Sequence, residues 1–169
     1  YVAITWTNGK TTTTVLTGAI FTAAGYPTEI VGNVGLAVTR RALSADPDTW
    51  MVTEVSSFQL ETADTFHPRI AALLNITPDH MDRHGTMEGY AAAKARIFRN
   101  QTAADWFVVN RDDPESWNVA AHCPSAVVPF SRSRALAFGA FLDEGTIVFR
   151  DQAGVQHSIC SGDALRIPG

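Results

Sequence analysis

Cysteine is nearly absent from this 169-residue chain: Cys123 and Cys160 stand alone, in no CxxC or Cys/His spacing. That excludes a disulfide framework and a zinc finger and leaves two free thiols, as expected in a reducing, cytoplasmic setting. Charge is also scarce. Lys and Arg total 13 against 17 Asp and Glu, a formal charge of −4, and charged residues make up 18% of the chain. No basic surface follows for a nucleic-acid backbone or an anionic membrane, so recognition of phosphate has to be local. No apolar run approaches the roughly 18 residues of a bilayer span, and no basic, apolar and small-residue leader opens the sequence. What is abundant is apolar surface, at 46% of residues. A chain of this length buries roughly 70% of the surface it exposes when extended, enough for one core without covalent staples. The first residues, Tyr1-Val2-Ala3-Ile4-Thr5, form an apolar strand without an initiating Met, as expected of a domain excised from a longer protein.

The hydrophobic pattern alternates between two periods. Residues 1 to 5 form a buried strand. Val15, Leu16, Ala19, Ile20 and Ala23 then recur at helical spacing until Gly25 and Pro27 end the run. Strands follow at 28–31, 50–55, 70–76 and 105–110, with helices at 36–43 and 86–99 and a helix start at Pro114. Helical crossovers between strands predict an α/β fold, a mostly parallel sheet flanked by helices, with ligands at the carboxyl ends of its strands. After Val128 the pattern shortens to 138–149 and 155–160, separated by turn residues, which predicts a C-terminal antiparallel hairpin at the sheet edge.

Between the first strand and first helix lies Thr7-Asn8-Gly9-Lys10-Thr11-Thr12. Successive backbone N–H groups and a helix N-terminus there form an anion-binding concavity. Lys10 would reach the β- and γ-phosphates, the Thr11 hydroxyl would face Mg²⁺, and Gly9 would let phosphate oxygens approach the backbone. The full GxxxxGK[ST] pattern is not met, because Ile4 stands where its first Gly belongs. Three further clusters fall after strands. Glu54 precedes Ser56-Ser57-Phe58-Gln59-Leu60-Glu61, a carboxylate and hydroxyls of the kind a hard cation takes. Thr77-Pro78-Asp79-His80-Met81-Asp82-Arg83-His84 reads equally as a ligand loop or a capping turn. Gly32-Asn33-Val34-Gly35 suits a tight turn as well as a contact.

Together these segments resemble the Mur ligase family. Thr5-Trp6-Thr7-Asn8-Gly9-Lys10-Thr11 matches six of the seven positions of its Thr-Gly-Thr-Asn-Gly-Lys-Thr loop. Glu54-Val55-Ser56-Ser57-Phe58-Gln59-Leu60-Glu61, Asn75-Ile76-Thr77-Pro78-Asp79-His80-Met81-Asp82 and Tyr90-Ala91-Ala92-Ala93-Lys94 match three more of its segments, the first being nearest the branch that handles D-glutamate. The resemblance implies a central ATP-binding domain, residues 1–169, of a three-domain cytoplasmic enzyme of peptidoglycan precursor synthesis, with no role in nucleic-acid binding or membrane insertion. That enzyme would join D-glutamate to UDP-N-acetylmuramoyl-L-alanine through an acyl phosphate. Thr7 to Thr12 would bind ATP. Thr11, Glu54, His80 and a carbamylated Lys94 would hold two Mg²⁺ ions, with Lys10, His80 and Lys94 acting on the transferring phosphoryl group. Asn33, Ser56 and Gln59 would face the nucleotide sugar. Another Mur ligase or a folylpolyglutamate synthase is the rival reading. The one departure in the loop is Trp6, where the family has Gly. An indole there is expected to swing outward or to crowd the phosphates, and the second case would leave a nucleotide site impaired in binding.

Overall fold

In the computed structural model, residues 1–165 are described except Asn8, and the side chain of Lys10 also lies outside the described set. Nine strands form one sheet in the order β2-β3-β1-β4-β5-β6-β7-β8-β9. Strands β1 (Val2–Thr5), β2 (Thr28–Gly32), β3 (Trp50–Glu54), β4 (Ile70–Leu73), β5 (Trp106–Asn110) and β6 (Ala126–Ser131) all run parallel. β7 (Gly139–Asp143) joins them in parallel, and β8 (Thr146–Arg150) and β9 (Gln156–Ser161) return antiparallel. The C-terminal hairpin is therefore a three-stranded extension of the main sheet.

Alternation along the strands separates two cores. Val2, Ile4, Val52 and Ala72 point to one face, under α1 (Lys10–Ala23), with Phe21, Trp50, Leu74 and Val108 closing around them. Ala3, Ala71, Leu73, Phe107 and Val109 point to the other, where α5 (Met87–Ala95) contributes Tyr90 and Ala91 and α6 (Pro114–Ala120) contributes Val119. Burial on both faces is what a parallel sheet requires. Three short elements were not expected: α3 (Ser57–Thr62), α4 (Met81–His84) and the parallel strand β6. The helix expected over 36–43 is confined to α2 (Val38–Arg41), and the strand expected to reach Ile76 stops at Leu73.

Helix α1 also turns differently from its hydrophobic stripe. Val15, Leu16 and Ile20 are exposed, while Thr14 and Gly18 face inward. Gly18 explains the orientation: a Cβ there would lie 2.8 Å from Ile30 Cγ1, so only glycine lets the helix pack this closely on β2.

The connection leaving β1 passes toward β2, whereas that leaving β4 passes toward β5, on the opposite side. The carboxyl ends of β1 and β4, adjacent in the sheet, thus flank a topological switch point, where open α/β sheets place ligands.

Candidate functional site

Four loops open at that edge. In the first, Gly9 caps α1 with φ +96°, a conformation that favours glycine, and no side chain caps the helix. Glycine as the capping residue brings no side-chain acceptor of its own to the first-turn amides, which suits an anion site. Thr7 ties this loop to the loop after β4. Its backbone N–H donates to Asn75 Oδ1 (3.2 Å), its hydroxyl donates to the Thr77 carbonyl (3.3 Å), and that hydroxyl accepts from the Thr77 N–H (3.1 Å). Tyr90 Oη lies 3.4 Å from the same hydroxyl. Thr11 and Thr12 are exposed on the first turn of α1. The Asn8 expectation and that for the Lys10 ammonium lie outside the described residues.

Trp6 takes neither course expected of it. It is fully buried, on the same sheet face as Val2 and Ile4, within the core under α1. Two positions on from Ile4, the indole continues the strand's alternation into the interior. Among the described non-glycine residues only His80 and Glu144 have positive φ, so the backbone at position 6 does not require glycine.

Glu54 closes β3 and is 1% exposed. Asn33 holds it twice: the Asn33 N–H donates to the Glu54 carbonyl (3.0 Å), and Nδ2 donates to Oε1 (3.0 Å). The turn before Asn33 requires glycine, because Gly32 has φ +105° and a Cβ there would lie 2.3 Å from the Glu54 carbonyl oxygen. Oε2 is buried and has no hydrogen-bond partner among the described residues. A buried carboxylate oxygen left unpaired is costly unless a cation or donor meets it.

Ser56 and Gln59, expected to face the nucleotide sugar, also have a structural role. Ser56 Oγ accepts from the Gln59 N–H (3.3 Å) and Gln59 Oε1 accepts from the Ser56 N–H (2.9 Å), a capping box that starts α3. His80 is half-exposed in the left-handed region (φ +53°), beside Asp79 and 5.0 Å from the Phe58 ring. Lys94 is 1% exposed, with Nζ 4.6 Å from the centre of the Tyr90 ring.

Two residues without an assigned role in the sequence become prominent. Tyr90 is buried between Thr7 and Lys94, and burial pushes its hydroxyl above the ordinary tyrosine range, offset in part by the Thr7 hydroxyl. Its spacing of four from Lys94 places both on one helix face, which is the signal the sequence offered. His84, 3% exposed, bridges Ser57 Oγ (3.1 Å) and Glu61 Oε1 (3.3 Å) and stacks on Phe58. The Arg83 guanidinium, 2.8 Å from Glu61, holds that carboxyl below its ordinary range.

One oxygen of the site suits Mg²⁺. Among the described residues no three His, Cys, Asp or Glu side chains form a ready-made metal cluster. Magnesium seldom needs one, since it takes one or two carboxylates and completes its shell with hydroxyls, waters and phosphate oxygens. The unpaired Oε2 of Glu54 is such a carboxylate oxygen.

Residues 4–160 match the Mur ligase middle domain, and the chain belongs to that family. It is 49% identical, over 168 residues, to the UDP-N-acetylmuramoylalanine--D-glutamate ligase of Pelotomaculum thermopropionicum, covering 99% of this chain and 37% of that protein. The same-named ligase of Koribacter versatilis is 48% identical over 164 residues, covering 97% and 36%. The chain therefore spans little more than a third of the length of these relatives. Among solved structures, a UDP-N-acetylmuramoyl-L-alanyl-D-glutamate--2,6-diaminopimelate ligase superposes with a TM-score of 0.69 at 24% identity, covering 94% of this chain and 38% of that one. That likeness supports the fold: a mostly parallel sheet between helices. No described helix is long and apolar enough to cross a membrane.

Proposed function

We propose that this domain supplies the ATP- and magnesium-binding centre of an amide ligase that joins D-glutamate to UDP-N-acetylmuramoyl-L-alanine in the cytoplasm, and that residues 1–169 act within a longer, three-domain enzyme. Supporting this are the relatives' printed names at 48–49% identity and one structural observation. The glycine-capped loop after β1 is bonded through Thr7 to the loop after β4 at the switch point of the sheet. ATP would lie with its phosphates against residues 7 to 12. Lys10 would draw charge from the γ-phosphate, and Thr11, Glu54, His80 and Lys94 would hold two magnesium ions. When bound, these ions would neutralise charge on the transferring phosphoryl group.

A carboxylate oxygen of the muramoyl-alanine substrate would attack the γ-phosphorus. The P–O bond to ADP breaks, and an acyl phosphate forms. The amine of D-glutamate would then attack the acyl carbon, displacing phosphate and losing a proton. Asn33, Ser56 and Gln59 would orient the nucleotide sugar. Lys94 is buried on the core-facing side of α5; addition of its neutral amine to CO₂ would give a carbamate and release a proton. The carbamate would supply the negative oxygen donor that lysine lacks.

The alternative of an impaired nucleotide site rests on Trp6 crowding the phosphates, and burial of the indole in the core under α1 speaks against it. Calorimetric titration of this chain with ATP tests the proposal. Saturable binding with Mg²⁺ that is lost or much weakened in EDTA is expected, and no binding in either condition would overturn it.

A further inference from the structure

We propose that Trp6 is a positioning residue of the phosphate loop, holding it from below in the conformation that receives phosphate. This rests on reading residues 7 to 12 as that loop. The indole is fully buried among Val2, Ile4, Val52 and Ala72, directly beneath the turn. A Cβ built on Gly9 would lie 3.7 Å from Nε1, so the indole edge comes close to the residue that caps α1, with room for no more than a small group between them. On the other side, Thr7 is bonded to Asn75 and Thr77. Two described residues of the loop are thus approached from the body of the domain, Gly9 by the indole and Thr7 by hydrogen bonds. With only a hydrogen at position 6, the space below Gly9 would be a cavity, and the loop would have to order itself when phosphate binds.

Four proteins test this: the parent, Trp6→Phe, Trp6→Leu and Trp6→Gly, each titrated calorimetrically with Mg·ATP at a temperature where circular dichroism shows the native state. Trp6→Phe, which keeps an aromatic ring below Gly9, should bind within about threefold of the parent, and Trp6→Leu and Trp6→Gly should bind on the order of tenfold more weakly. In the parent labelled with 5-fluorotryptophan, the fluorine resonance that Trp6→Phe removes should shift on saturation with Mg·ATP. A tryptophan that only fills the core would lower the melting temperature when replaced but would not sense the nucleotide. Binding by Trp6→Leu or Trp6→Gly as tight as the parent's, or tighter, overturns the proposal, as does an unmoved fluorine resonance. Should Trp6→Gly fail to fold, Trp6→Leu and the fluorine signal still decide. Absence of binding by all four overturns the reading of the loop itself, a result distinct from either.

Discussion

Replacing Glu54 by Gln should stabilise the metal-free domain while weakening its response to Mg·ATP. The carboxylate is 1% exposed, and among the described residues only Oε1 is engaged, by Asn33 Nδ2 at 3.0 Å. Leaving a buried polar atom unpaired costs about 1–3 kcal/mol, and a charged one more. Glutamine keeps the shape and the acceptor for Asn33 but places a neutral NH₂ where Oε2 stands. Part of the penalty therefore stays, and the net gain is about 1–2 kcal/mol. For a domain of this size each kcal/mol moves the melting temperature by roughly 2–4 °C, so the variant should melt roughly 2–8 °C higher in EDTA. The parent, with Mg·ATP at a hundredfold its Kd, should gain about 2.7 kcal/mol by mass action, and the variant much less. Differential scanning calorimetry of both proteins in each condition reads both effects. A variant that melts below its parent in EDTA, or that keeps the full Mg·ATP shift, would refute the assignment of Glu54 to the metal.

At the opposite edge of the sheet, the Asp105 carboxyl is held at about 2, from an ordinary 3.8, first by its hydrogen bond to His67 (2.7 Å) and then by the Thr102 N–H. A depressed carboxylate value stabilises the fold fully above about pH 4 and ceases to do so as pH falls through 2. Asp105→Asn should therefore cost about 1–2 kcal/mol at pH 7, with His67 half-exposed, and the gap to the parent should narrow on acidification; a gap constant in denaturant melts from pH 7 to 2.5 would contradict this. Ser56→Ala should cost about 1 kcal/mol through the lost cap of α3 and also raise KM for the nucleotide sugar severalfold in the complete ligase; an unchanged KM would leave Ser56 a capping residue alone. In the same enzyme, Lys94→Ala should abolish most turnover, and formate or acetate should restore part of it by supplying the missing carboxylate. Turnover near the parent's, with an unchanged melting temperature, would remove Lys94 from the centre.

Most of the sheet was legible in the sequence because its strands carry runs such as Val2-Ala3-Ile4 and Phe107-Val108-Val109, bounded by turn residues. The elements that escaped are those whose cause is not hydrophobic period. α3 has six residues and depends on the Ser56–Gln59 capping box, and α4 has four and begins at a left-handed histidine. β6 contains Pro129, which ordinarily argues against a strand inside a sheet. The stripe of α1 misled in another way. Its apolar residues mark a face, but Gly18 decides which face approaches the sheet, because close packing on Ile30 demands a missing side chain more than it demands an apolar one.

The candidate site divides along the same line. Where chemistry follows a strand end, as at Thr7, Asn33 and Glu54, topology alone brings the residues to one edge, and parallel pairing fixes the register: Ile4 and Gly32 both pair with Glu54. Contacts through the third dimension left little trace in the sequence. Tyr90, beside Lys94 on its own helix, meets Thr7 across 83 positions of chain, and the hydrogen bond that records it joins two side chains with no shared periodicity. Trp6 shows the limit of reasoning from a single departure. As one letter in a glycine-bearing loop it argued for obstruction, since a large ring near phosphates has to go somewhere. The destination was set by the preceding strand: position 6 follows Val2 and Ile4 in steps of two, so the alternation that builds the core carries the indole inward before the loop begins to turn.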